Sequence, residues 1–144
     1  MAIRPLAQAP HLFRRLLAEV YLVAERADDG LRVVSEGLRD LEGSKRLIHR
    51  AELHRLKGEL LLLQNAPGAT EAESCFREAI EVARRQQAKS WELRATMSLA
   101  RRLAKQGRRD EARAMLAEIY NWFTEGFDTA DLKAAKALLD ELGA

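Results

Sequence analysis

Apolar residues recur at intervals of three and four along most of the chain, as in Phe13, Leu16, Leu17, Val20, Tyr21 and Ala24, and again in Leu93, Met97, Ala100, Leu103 and Ala104. That spacing lays one apolar stripe along a helix, whereas a half-buried strand alternates in steps of two. No stretch reads as a strand. Local punctuation predicts helices over roughly 10–27, 29–42, 45–64, 70–88, 91–106, 109–124 and 129–142. Pro10 suits a first helical turn, where a missing N–H costs nothing. Asp28 or Asp29, Ser90, Asp110 and Thr129 or Asp128 read as N-caps, Thr70 with Glu73 as a capping box, and Gly43-Ser44 as a stop followed by a start. Gly107, Gly126 and Gly143 stand where a left-handed residue ends a helix, and QNAPGAT is the clearest loop.

The pattern repeats. When VYLVAERADDGLRVVSEGL, LLLLQNAPGATEAESCFREAI and RRLAKQGRRDEARAMLAEI are aligned, Gly30, Ala72 and Ala112 become equivalent small positions. Val34, Phe76 and Leu116 follow four residues later, and Gly37, Ala79 and Ile119 seven later. In the preceding helices Ala18, Gly58 and Ala100 correspond, as do Tyr21, Leu61 and Leu103, with separations of about 40 to 42 residues.

This arrangement resembles the tetratricopeptide repeat (TPR), in which small residues let paired helices approach and larger ones fill the space between them. The period exceeds the usual 34 or so, glycine occupies two positions of the first repeat where alanine is common, and no repeat ends in proline. The resemblance implies an all-α α-solenoid of about three elongated TPR-like helical hairpins plus a C-terminal capping helix, with an armadillo- or HEAT-like pairing as the alternative. Residues 1–9 then read as an N-terminal extension and 10–144 as a single TPR-like helical repeat domain. The segments AELHRLKGELLLLQ, AESCFREAIEVARRQQAKSWELRATMSLARRL and GRRDEARAMLAEIYNWFTEGFDTADLKAAKALLDEL are also similar to the C-terminal tail of bacterial adenylate/guanylate cyclase-like proteins and predicted ATPases. In that family a cyclase-like domain and a P-loop ATPase module often precede such helices, so the likeness implies that this chain carries only the last portion.

Composition narrows the functional classes. A net charge of +2 argues neither for nor against nucleic acid, and a long basic stripe with stacking aromatics is lacking, so no nucleic-acid partner is expected. The lone Cys75 excludes an internal disulfide and fits a reducing cytoplasm. No apolar run is long enough for a membrane span, and the N-terminus lacks a signal-peptide pattern, so a cytoplasmic protein is expected. QAKSWE lacks the glycines of a phosphate loop. His49 and His54 are five residues apart, about 140° on a helix, and His11 stands alone, so no metal or other cofactor is expected. No catalytic constellation emerges, and the expected role is that of a non-enzymatic protein–protein interaction scaffold.

Register places Arg15, Glu19, Glu52, Arg55, Glu59, Arg94, Met97, Arg101 and Lys105 as exposed residues on the inner faces of the first helices, a groove for a peptide or protein partner in which Arg94, Arg101 and Lys105 hold carboxylates. The alternative role is a detached regulatory tail acting on a cyclase-like or P-loop ATPase partner. The stripe of Leu12, Phe13, Leu16, Leu17 and Val20, with Tyr21, has no preceding repeat to cover it and predicts self-association as a homodimer. Tyr120, Trp122, Phe123 and Phe127 crowd Gly126, and a packed turn explains them better than a ligand box. Burying each such ring contributes about 2–3 kcal/mol, so truncating Trp122 is expected to loosen the last repeat.

Overall fold

The computed structural model describes residues 10–41, 49–64 and 69–144, and within them all regular structure is helical. Seven helices run through these residues: α1 (Pro10–Val23), α2 (Ala27–Leu41), α3 (Arg50–Leu63), α4 (Ala69–Arg85), α5 (Lys89–Lys105), α6 (Arg109–Tyr120) and α7 (Ala130–Gly143). The expected extension 1–9, the Gly43-Ser44 break, the start of the third helix near 45 and most of QNAPGAT lie outside the described residues.

Each helix packs on its successor, and α1, α3, α5 and α7 also pack one on the next in a row. The equivalent positions read from the repeat all face inward. Val34, Phe76 and Leu116 are fully buried, as are Ala18, Ala100, Ala72 and Ala112. One apolar cluster joins α4, α5, α6 and α7 with Leu61 of α3, and a second joins α1, α2 and α3 around Val34, Leu53, Leu56 and Leu60. Leu31 packs against both.

Gly58 and Gly30 act through what lies against them. A Cβ on Gly58 would stand 2.7 Å from Phe76 Cδ1, and one on Gly30 would stand 2.6 Å from Leu60 Cδ2. Both distances are inside ordinary contact, so backbone and neighbour meet only because no side chain intervenes.

The helix stops differ from the expected boundaries for one recurring reason. Between α1 and α2, α4 and α5, and α5 and α6 the chain turns on three residues whose middle member is left-handed: Glu25 (φ 57°), Gln87 (φ 55°) and Gly107 (φ 79°). In each turn the residue after it donates its N–H five residues back, Arg26 to Tyr21, Ala88 to Ala83 and Arg108 to Leu103, all at 2.9 Å. This is the Schellman closure of a helix end. It stops α1 at Val23 and α4 at Arg85, short of the predicted 27 and 88. The following helix begins at once, so Asp28, Asp29, Ser90 and Asp110 fall inside first turns, and neither Ala88 nor Arg108 makes a side-chain cap. Thr70 likewise lies within α4, and Glu73 pairs with Arg77 and Arg108. Gly143 ends α7 without a positive φ.

The aromatic turn near Gly126 is partly as expected. Gly126 has φ 78°, Thr129 caps α7 by accepting from the Leu132 N–H at 3.5 Å, and its hydroxyl donates to the Gly126 carbonyl at 2.7 Å. The Tyr120 and Phe127 rings lie 5.8 Å apart, and Tyr120 and Phe123 pack on the main core. Trp122, however, is 56% exposed, because α6 ends at Tyr120 rather than 124 and position 122 leaves the buried face. Its ring rests edge-on against Phe123 and under the Lys89 ammonium, 5.4 Å from the centroid. It is a surface cover and not a core anchor.

Two substitutions separate these effects. Gln87→Gly should raise the thermal midpoint, since a non-glycine residue in the left-handed region costs about 1 kcal/mol. Gly58→Ala should lower it by the equivalent of about 2 kcal/mol or more, the scale of an overpacked core, as the rigid, buried Phe76 must move. Calorimetric melts of both variants read the two signs directly.

Candidate functional site

The row of α1, α3, α5 and α7 presents one continuous face, and its centre is held by charge. Glu52 on α3 is 1% exposed. One helical turn on, Arg55 forks onto it, Nε to Oε1 at 2.9 Å and a terminal nitrogen to Oε2 at 3.0 Å. From α5, Arg94 donates to Glu52 Oε2 at 3.1 Å while its Nε lies 3.6 Å from Asp131 of α7. Three helices are thereby tied by a chain of alternating charge. Burial works against the Arg55 cation, but its hydrogen bonds to Glu52 and the nearby carboxylates of Glu59 and Glu19 outweigh it and hold the group above its ordinary pKa.

Beside this chain, Arg55, Arg94, Met97, Ser98, Arg101 and Asp131 line a cleft of about 210 Å³. Ser98 is 2% exposed and its hydroxyl has no hydrogen-bond partner, an uncommon state for a buried polar atom. Arg101 is exposed and, among the described residues, forms no ion pair. A second cleft of about 370 Å³ continues between α5 and α7, lined by Arg101, Lys105, Arg109, Leu138, Glu141 and Leu142. There Arg109 closes the end by donating from Nε to the Leu142 carbonyl at 3.0 Å and from a terminal nitrogen to that of Glu141.

Of the nine groove residues read from register, Arg55, Arg94, Met97 and Arg101 line the first cleft and Arg101 and Lys105 the second, and the nine differ in depth. Glu52 and Met97 are buried and not exposed, Glu52 because Arg55 and Arg94 neutralise it and Met97 because it sits in the main core. Arg15 is drawn in by Glu19 at 3.1 Å, its guanidinium 5.9 Å from the Trp91 centroid. Glu59 is half-buried, whereas Arg101 and Lys105 stand free in solvent. Ser98 and Asp131 escaped the sequence reading. Ser98 hides beside Met97 in a continuous helical run, and Asp131 belongs to a helix whose rotation against α5 only the fold sets.

Other chemistry is quiet. Burial pushes the Cys75 thiol above its ordinary pKa, disfavouring the thiolate. No group of three or more His, Cys, Asp or Glu poised for a metal occurs among the described residues, and none of their helices is long and apolar enough to cross a membrane. No family model, curated protein or solved structure matches the chain at a significant level.

Removing the Glu52 carboxylate leaves two partly buried guanidinium groups without their shared partner. Glu52→Ala should therefore cost on the order of 3 kcal/mol in urea unfolding, and Arg94→Gln distinctly less because Arg94 is 34% exposed and keeps its access to water.

Proposed function

We propose that the chain is a TPR-like α-solenoid and works as a non-enzymatic protein-interaction module that grips a peptide or protein partner along the face of α1, α3, α5 and α7. The observation that carries this reading is the cleft at Ser98 and Arg101, a buried hydroxyl without a partner next to an unpaired cation, set in a preformed groove. The half of the groove on α1 and α3 sets Arg15 and Arg55 against Glu19, Glu52 and Glu59, and Arg94 of α5 offsets the extra carboxylate by pairing with Glu52. The α5 half keeps Arg101 and Lys105 free, so an acidic segment is the ligand class that fits. The sequence likeness to the tails of cyclase-like proteins and predicted ATPases makes a cyclase-like or P-loop ATPase protein the partner class to try first. The expected outcome with a fluorescein-labelled peptide of alternating Glu and Leu is saturable anisotropy. Arg101→Glu with Lys105→Glu should weaken it about tenfold or more with the circular-dichroism spectrum unchanged. Equal binding by the variant would remove the acidic-groove reading.

A second surface supports self-association. Leu12, Phe13, Leu16, Val20 and Val23 are 41 to 85% exposed along α1, and Leu16, Val20 and Val23 border an apolar hollow of about 440 Å³. Leu17, read as part of the same stripe, instead turns inward and packs beside Ala18 and Leu53. A second copy laid antiparallel across this stripe buries apolar surface on both sides, the isologous arrangement of a two-fold dimer. Light scattering on a sizing column should give twice the chain mass, falling to a folded monomer in Phe13→Glu with Val20→Glu. A monomeric native chain would refute the dimer.

A further inference from the structure

On the side of α3 about half a turn from Glu52, Arg55 and Glu59, at roughly 100° per residue, a cleft of about 330 Å³ opens towards α2. Among the described residues its lining is Ser35, Leu38 and Arg39 from α2 and Arg50, His54 and Lys57 from α3, with no carboxylate among them. Lys57 reaches Glu71 at 3.5 Å, but Arg39 and Arg50 have no ion pair among the described residues. The His54 Nε2 is buried and makes no hydrogen bond. From α4, Glu78 and Arg85 act on the same imidazole and are paired to each other at 3.5 Å.

We propose that this cleft is a binding site for a phosphate-class dianion, with Arg39 and Arg50 as its charge partners, Lys57 at its edge, and the His54 imidazole and Ser35 hydroxyl as hydrogen-bond donors. Cations arriving from two helices surround a tetrahedral anion better than a planar carboxylate. Arg50 is the first residue of α3, so the cleft borders the N-terminal end of that helix, the positive end of its dipole. The empty-handed imidazole is the telling feature. Burial, which dominates, together with Arg50, Lys57 and Arg85 lowers the His54 pKa from 6.5 to about 4, against the opposing pull of Glu78. A dianion supplies the missing negative charge and must drive that value back up. The site is independent of the inner groove.

The test follows His54 itself. Imidazole nitrogen correlations are recorded during an acid titration at constant ionic strength, in sodium chloride and then in sodium sulfate, a tetrahedral dianion that does not titrate in this range. The His54 midpoint should rise by about one unit or more in sulfate, the scale of a close opposite charge, and Arg39→Gln with Arg50→Gln should abolish the rise. Inorganic phosphate at pH 7 should raise the thermal midpoint over chloride in the native chain alone. An unmoved midpoint in the native chain, or an equal rise in the double variant, would overturn the site. If the site holds, co-sedimentation with phosphatidate vesicles competed by phosphate assigns the anion to a lipid headgroup. A sulfate response without sedimentation assigns it to a soluble phosphate.

Discussion

The contact between the Gly58 backbone and the Phe76 ring sets the geometry of everything around it. Phe76 is fully buried and lies in the volume a side chain at 58 would take. With α3 pressed onto α4 in this way, one side of α3 delivers Leu53, Leu56 and Leu60 to the apolar cluster shared with α1 and α2, while Leu61 joins the one shared with α4 to α7. The remaining surface of α3 is divided between Glu52, Arg55 and Glu59 on one side and Arg50, His54 and Lys57 on the other. A helix held further off would leave a void around Phe76 and would move Glu52 out of reach of Arg94. The small residue thus acts twice, once in packing and once in placing charge.

Charge then does what apolar packing cannot do along the row. The apolar clusters fix how each helix meets its neighbour in sequence, but they leave rotation about the helix axis loosely determined, since leucine and alanine tolerate small turns. Glu52 accepts from α3 and α5 at once and Arg94 reaches from α5 to Asp131 on α7, so a rotation of any one of these helices breaks a directional bond. A buried ion chain of this kind adds little net stability, because desolvation offsets the Coulomb gain. What it contributes is a fixed presentation of Ser98, Arg101 and Lys105 towards one groove.

The helical content, the equivalent small positions and the left-handed Gly107 and Gly126 were legible because each depends on residues close in sequence or on a residue type with one dominant use. Glu25 and Gln87 were not legible as turn residues. They adopt the left-handed conformation because the Schellman bonds and the next helix impose it, and nothing in a glutamate or glutamine advertises that role. The charged positions of α3 and α5 were legible as neighbours and illegible in depth. Glu52 carries the same label as Glu59 in a sequence, and only the convergence of Arg55 from its own helix with Arg94 from the next one removes it from water. Trp122 fails in the opposite sense, since its size argues for burial while a helix end two residues earlier turns it outward. The cleft at His54 draws on two helices and a histidine that spacing alone had dismissed for metal.

The two ends of the row are unlike, and the difference is physical. An interior helix of such a row has both flanks covered, so an end helix needs a polar outer flank to be stable in water. The α7 helix has one: Leu132, Ala135, Leu138 and Leu142 turn inward, while Lys133, Lys136, Asp140 and Glu141 are exposed and Lys136 bonds Asp140 at 2.6 Å. At the other end α1 keeps its apolar flank in the open, with Val23 at 85% and Val20 at 60% exposure, although Ala18 and Leu17 already satisfy the core behind it. Apolar surface beyond what the local core uses adds no stability to the fold when left in water. Among the described residues the open apolar flank lies at α1 and the polar flank at α7, so the row is directional in what it presents to water.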